Sequence, residues 1–234
     1  MAQLVSIFLW FRSIVVFTIL GSFYILASLF ISPERLQPLG KWACGIFLWA
    51  AGQKVILHGP FPDLEQGPYL YLFNHASLLD TFIAISVLPE FTGAIGKKEQ
   101  FRIPIWGWVL RRWGAVPIER GNLGQAIQSL NQGEAVLSSG RSLLIAPEGT
   151  RSKDGELQDF KKGPFHIAAN TKTPIVLMAI VGAFEAKQRG SWLLKPGQIN
   201  VHILPPIDPI EQDMNALREN TWRILNQKLS ELNV

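Results

Sequence analysis

"PYLYLFNHASLLDTFIAISVL", residues 68–88, joins two patterns whose order decides the fold. "PYLYLFN" is short, apolar and aromatic and stops at Asn74, as a buried strand does. "SLLDTFIAISVL" is an apolar run of helix length. A strand feeding a helix, repeated along a chain, builds an α/β domain. The runs "KVILHG" (54–59), "GAVPIER" (114–120), "SLLIAPEG" (142–149), "PIVLMAIVG" (174–182) and "INVHILPP" (199–206) have the same strand character, bounded by Gly, Pro or Asn. Between them, "GNLGQAIQSLNQGEAVLSSG" (121–140) carries a helical stripe closed by Gly140. Residues 163–171 and 214–232 are two further helix candidates. The predicted fold class is α/β: a mixed, largely parallel central sheet flanked by helices.

Residues 74–80, "NHASLLD", sit at the strand-to-helix junction, where open α/β sheets gather ligands and catalytic groups. His75 and Asp80 are five positions apart, about 140° around a helix and on opposite faces of a strand. They meet only if His75 is in the loop and Asp80 is in the first turn of the helix. An aspartate bonded to one ring nitrogen fixes the tautomer and makes the other nitrogen a general base. The competing local reading is a capping box, with Ser77 as N-cap and Asp80 at the third helical position. A nucleophilic Ser77 lacks the G-x-S-x-G elbow that exposes a serine hydroxyl. His58, His166 and His202 are too scattered for a metal site, and the one cysteine, Cys44, supports neither a disulfide framework nor a thiolate cluster.

The remaining strand ends are polar and basic. "APEGTRS" (146–152) places Glu148, Gly149, Thr150 and Arg151 after one strand, Arg120 ends another, and "GKKE" (96–99) adds Lys97 and Lys98. Glycine permits close backbone approach, threonine offers a hydroxyl, and arginine offers a fork matched to phosphate oxygens. Each basic residue alone reads as a solvated charge; together they offer one anion several donors beside a histidine base.

Among 234 residues, 48% are hydrophobic and 17% charged, and the mean hydropathy is +0.19, greasier than a soluble domain. The net charge of +4 suits an anionic lipid surface or an anionic substrate as well as nucleic acid. Ser13–Ile31 is uncharged and ~29 Å long as a helix, close to the bilayer core. It predicts a retained anchor. "WACGIFLWAAG" (42–52) is too short to cross and reads as interfacial or as a helix packed on the domain. Arg35, Lys41 and Lys54 follow the long segment and only Arg12 precedes it, which places the main domain on the cytoplasmic side. The expected division is a membrane-anchoring part, 1–53, and an α/β domain, 54–234.

Taken in order, "NHASLLD", "GAVPIER", "PEGTRS" and "TPIVLMAIVG", with "GKKE" and "FKKG" in the intervals, resemble the four blocks of the glycerolphosphate and lysophospholipid acyltransferases, most closely the bacterial lysophosphatidic acid acyltransferases. The resemblance covers roughly residues 54–206. It implies an acyltransferase domain at the bacterial inner membrane, with His75 and Asp80 as the catalytic pair. His75 would deprotonate a lysolipid hydroxyl that attacks an acyl thioester, with no acyl-enzyme. Acyl-CoA or acyl carrier protein is the co-substrate, and no cofactor, metal or nucleic acid is implied. Lys98, Arg120, Glu148, Gly149, Thr150 and Arg151 are the implied acceptor site, Glu148 orienting Arg151 or binding a glycerol hydroxyl, and Pro174 is implied to shape the pocket. Three positions depart from the family's usual pattern: Glu119 for aspartate, Ala146 for phenylalanine and Leu177 for a second proline. They leave another lysolipid, such as an amino-acid lysolipid, as the alternative acceptor. A hydrolase using His75 to activate water is the rival in another class.

Overall fold

The alternation in "LYLF" decides how the sheet is covered. The computed structural model describes residues 1–119, 123–210 and 213–232. The strands are β1 (Gln53–His58), β2 (Leu70–Phe73), β3 (Gly93–Lys97), β4 (Val116–Ile118), β5 (Leu143–Ile145), β6 (Ile175–Val181) and β7 (Gly197–Ile203). They form one sheet in the order β1-β7-β6-β2-β5-β3-β4. Neighbours are parallel except β6 and β7, which pair antiparallel. Strand side chains point alternately to the two faces. Leu70 and Leu72 therefore enter one core with Leu143, Ile145 and Ile175, while Tyr71 and Phe73 enter the other with Leu144 and Val176. A sheet buried on both faces explains the nearly continuous apolar runs of the sequence.

The helices are α1 (Ala2–Ala27), α2 (Gln37–Ala50), α3 (Asp80–Val87), α4 (Trp106–Trp113), α5 (Leu123–Ser138), α6 (Gly163–Thr171), α7 (Ala183–Ala186) and α8 (Met214–Leu232). Residues of α2 and α3, with Leu9 of α1, fill the Tyr71 face. Residues of α5, α6 and α8 fill the Leu70 face. The mixed, largely parallel α/β sheet expected from the sequence is the one observed, and α6 and α8 match their predicted ranges.

Three elements escaped the sequence reading: β3, α4 and the four-residue α7. β3 begins with a glycine because α5 seats tightly there: a Cβ at Gly93 would lie 2.8 Å from Val136. In α4, Trp106, Val109, Leu110 and Trp113 recur at helical spacing, and Gly114 closes the helix at φ +74, so its signal was present in the sequence.

The N-terminal segment differs from its expected form. The helix covers Ala2–Ala27, not Ser13–Ile31, and residues 28–31 turn away from it. It also lies along the α/β body. Ser6 Oγ donates to Leu194 O (3.0 Å), Arg12 donates to Trp49 O and Ala50 O (2.8 and 2.7 Å), and Tyr24 stacks against Trp113 at 5.9 Å. Leu9 of α1 and Phe47 and Leu48 of α2 share a core cluster with residues of β2 and β6.

Candidate active site

Asn74 fixes the loop that follows β2. Its Nδ2 donates to Ile180 O and its Oδ1 accepts Ile180 N, both at 2.8 Å, so a side-chain amide continues the β2–β6 ladder one step past the strand. His75 is thereby placed at the C-terminal edge of the parallel strands. Asp80 is the first residue of α3 and fully buried. Its Oδ2 accepts His75 Nδ1 at 2.8 Å, together with the N–H groups of Ala76 (2.8 Å) and Ser77 (2.7 Å). An ionised carboxylate has no proton to give, so Nδ1 carries the hydrogen and Nε2 is the accepting nitrogen.

The capping box is correspondingly incomplete. α3 begins at Asp80, not after Ser77, and Ser77 Oγ accepts Leu79 N (3.3 Å) while donating to Lys187 O (3.0 Å). Asp80 does accept Ser77 N, so cap and catalytic pair share one carboxylate. The engaged, fully buried Ser77 hydroxyl is not placed as a nucleophile.

His75 lines a cavity of about 840 Å³ whose walls include Ala94, Ile95, Ile118, Leu130, Leu144 and Ile145. Lys97, Gly149, Arg151, Lys161, Lys162 and His166 add polar groups to the same lining. An apolar hollow with a few polar groups and two histidines, His75 and His166, suits a molecule with a long apolar part and an anionic end. Gly149 adopts φ +72, a left-handed conformation that favours glycine. Arg151 faces the cavity, and no carboxylate pairs with its guanidinium among the described residues.

Several expected positions are corrected. Glu148 does not orient Arg151. It is 2% exposed, its Oε1 accepts His75 N (2.5 Å), and its Oε2 accepts Gln158 N and Nε2 (3.1 and 3.2 Å). Thr150 contributes a carbonyl to Gln158 Nε2 (3.1 Å) and does not line the cavity. Lys98 is held by Glu119 at 2.5 Å, and its neighbour Lys97 reaches the lining instead. Pro174 precedes β6 and its carbonyl accepts Leu70 N, which puts it at the opposite sheet edge, roughly 20 Å along the strand direction from Ile180. Arg120 lies outside the described residues. Asn74 and Gln158 were missed: asparagine at a strand end reads as a stop signal, and nothing near Gln158 announces its partners.

Burial lifts the Glu148 carboxyl from 4.5 to about 7, against the opposing pull of the N–H donors of His75 and Gln158. Its folded value is raised, so its contribution to stability is fully present below about 4.5 and is lost as pH rises through about 7. Wild type is therefore expected to lose on the order of 3 kcal/mol relative to Glu148→Gln across that window. Urea midpoints of both proteins at several pH values measure this, and parallel curves would contradict it.

A single sheet covered on both faces, with a base at its C-terminal edge, puts the chain among α/β proteins that bind ligands where parallel strands end. Residues 54–181 match the family model described as Acyltransferase, and the chain belongs to that family. It is 36% identical over 163 residues to a 1-acyl-sn-glycerol-3-phosphate acyltransferase of Cocos nucifera, covering 69% of this chain and 52% of the relative. A protein of the same name from Saccharomyces cerevisiae is 29% identical over 220 residues, covering 91% and 72%. The chain spans 52% of the length of the Cocos nucifera relative and 58% of that from Limnanthes douglasii. The crystal structure of the 1-acyl-sn-glycerophosphate (LPA) acyltransferase of Thermotoga maritima superposes with a TM-score of 0.83 at 24% identity, covering 100% of this chain and 98% of that one, so the fold is shared.

Proposed function

We propose that the protein transfers a fatty acyl group from an acyl thioester to the free hydroxyl of lysophosphatidic acid, giving phosphatidic acid. The observation that carries this reading is His75, held through Nδ1 by Asp80 while it lines an apolar cavity that also contains Arg151. His75 Nε2 takes the acceptor's hydroxyl proton as the oxygen attacks the thioester carbonyl. The tetrahedral intermediate collapses by breaking the C–S bond, and the thiolate recovers the proton from the imidazolium, which Asp80 stabilises meanwhile. The balance needs no metal, prosthetic group or acyl-enzyme. Acyl-CoA and acyl carrier protein both satisfy the donor chemistry. On this reading Arg151, which lines the cavity, takes the acceptor's phosphate, and the names of the relatives agree with that acceptor. A panel of lysolipids with a labelled acyl thioester, read by product mass, tests the assignment. Transfer to a phosphate-free lysolipid in preference to lysophosphatidic acid would reject the acceptor.

The membrane is the natural place for a reaction whose acceptor and product are lipids. α1 exposes Phe8, Phe11, Ile19 and Phe23, and Trp49 of α2 and Trp108 of α4 are also exposed. Because α1 is attached to the body from Ser6 to Tyr24, a length of ~27 Å, this reading lays it in the plane of the bilayer surface with its apolar side in lipid. The domain then stands on one face of the bilayer, and the net charge of +4 suits an anionic leaflet. Phe11→Ser combined with Ile19→Ser is expected to release the protein from anionic vesicles while changing its thermal midpoint little, since both side chains are more than 60% exposed. Unchanged vesicle pelleting would count against this face.

A further inference from the structure

The connection between α7 and β7, "KQRGSWLL" (187–194), lies outside all four motifs yet touches both catalytic loops and the N-terminal helix. At its start, Lys187 O accepts Ser77 Oγ (3.0 Å), and Arg189 Nη1 donates to Arg151 O (2.6 Å). At its end, Ser6 Oγ of α1 donates to Leu194 O (3.0 Å) and accepts Leu194 N (3.1 Å), while Trp10 Nε1 donates to Trp192 O (2.7 Å). Lys187 Nζ closes the segment on itself by donating to the carbonyls of Gln188 and Ser191.

A lysine that is 7% exposed is costly unless its charge is satisfied. Burial, and secondarily the charge of Arg151, lower its pKa. No carboxylate pairs with it among the described residues; backbone carbonyls of its own segment do the work instead. Its ammonium is therefore spent on the shape of this connection, and the connection in turn holds Ser77 and Arg151. Ser77 N supports Asp80 Oδ2, and Ser152 N donates to His75 O (2.8 Å), so the two loops held from outside are also bonded to each other.

We propose that Lys187–Leu194 is a positioning strap that carries the seating of α1 to the His75–Asp80 loop and the Arg151 loop, with Lys187 as the positioning residue at its bend. The role rests on the acyl-transfer reading of His75 and Arg151. The strap does not line the cavity, so it acts through the groups it holds. Misplacement of reacting groups by about 1 Å can cost two orders of magnitude in rate. Seating α1 in lipid thus bears on transfer even though no residue of α1 lines the cavity.

The test uses the full chain in anionic vesicles and compares wild type, Lys187→Met, Lys187→Arg and Arg189→Ala. Transfer from a labelled acyl thioester to lysophosphatidic acid is measured against pH, per mole of folded protein, beside vesicle binding. All variants are expected to bind vesicles. Lys187→Met is expected to lower kcat about tenfold and to move the acid limb of the pH–rate profile, with Lys187→Arg recovering part of both. Arg189→Ala is expected to raise the acceptor KM several-fold through Arg151. A lysine with a merely structural role would reduce the amount of folded protein without moving KM or the profile. Wild-type kcat, KM and profile in both Lys187→Met and Arg189→Ala overturn the strap. Should Lys187→Met not fold, Arg189→Ala decides alone, because its side chain is exposed. A wild type that transfers no acyl group to any lysolipid overturns the acyl-transfer reading and the strap's part in it; an active wild type with unaltered variants removes the strap only.

Discussion

His75→Ala is expected to lower acyl transfer by about a hundredfold to ten-thousandfold, the range lost with a general base, while leaving the fold and vesicle binding intact. The ring contributes little to the core: its backbone carries the link to Glu148, and its side chain lines the cavity. Asp80→Asn should be less severe. A carboxamide oxygen still accepts the N–H groups of Ala76 and Ser77, but it lacks the charge that stabilises the imidazolium and fixes the Nδ1–H tautomer. Steady-state rates in vesicles separate the possibilities. A folded Asp80→Asn protein with wild-type activity would make Asp80 a helix-start residue alone, and residual wild-type activity in His75→Ala would remove the base.

Arg151→Ala is expected to weaken use of lysophosphatidic acid by about tenfold to a hundredfold in kcat/KM, the range for a hydrogen bond to a charged group. Arg151→Lys should fall between, because it retains the charge and loses the planar fork. The apparent affinity for the donor thioester should change less. The guanidinium faces the cavity without a carboxylate partner among the described residues, so its removal breaks no observed ion pair. Wild-type kinetics with both variants would mean that Arg151 does not hold the acceptor phosphate, and a lysolipid lacking a phosphomonoester would become the better candidate.

How far the sequence carried depended on whether the signal was periodic or relational. The strands around Leu70, Leu143 and Ile175 were legible because burial on both faces demands unbroken apolar runs. The contact of His75 with Asp80 was legible too, since only a loop-then-helix geometry closes that spacing. β3 was hidden in part because Gly93 answers to Val136 on α5, a residue far away in sequence. Glu148 was misassigned for a similar reason. A carboxylate beside arginine suggests a salt bridge, yet its partners are a backbone N–H seventy-three positions away and Gln158. Pro174 illustrates a third limit: a motif places a residue in a strand without saying at which edge of the sheet it falls.

The Asn74 amide, which prolongs the β2–β6 ladder, also has a bearing on local opening. Amide protons protected by central strands exchange only with global unfolding, whereas binding loops usually belong to the least protected parts of a fold. Here the protected region reaches Ile180 N and the residue next to His75. The base is mounted beside hydrogen bonds of a central strand, so slow exchange is expected at Ile180 N in deuterium-exchange measurements. The cavity border around Lys97 and Lys161–Lys162 carries exposed side chains, and the same measurement is expected to find faster exchange there than at Ile180.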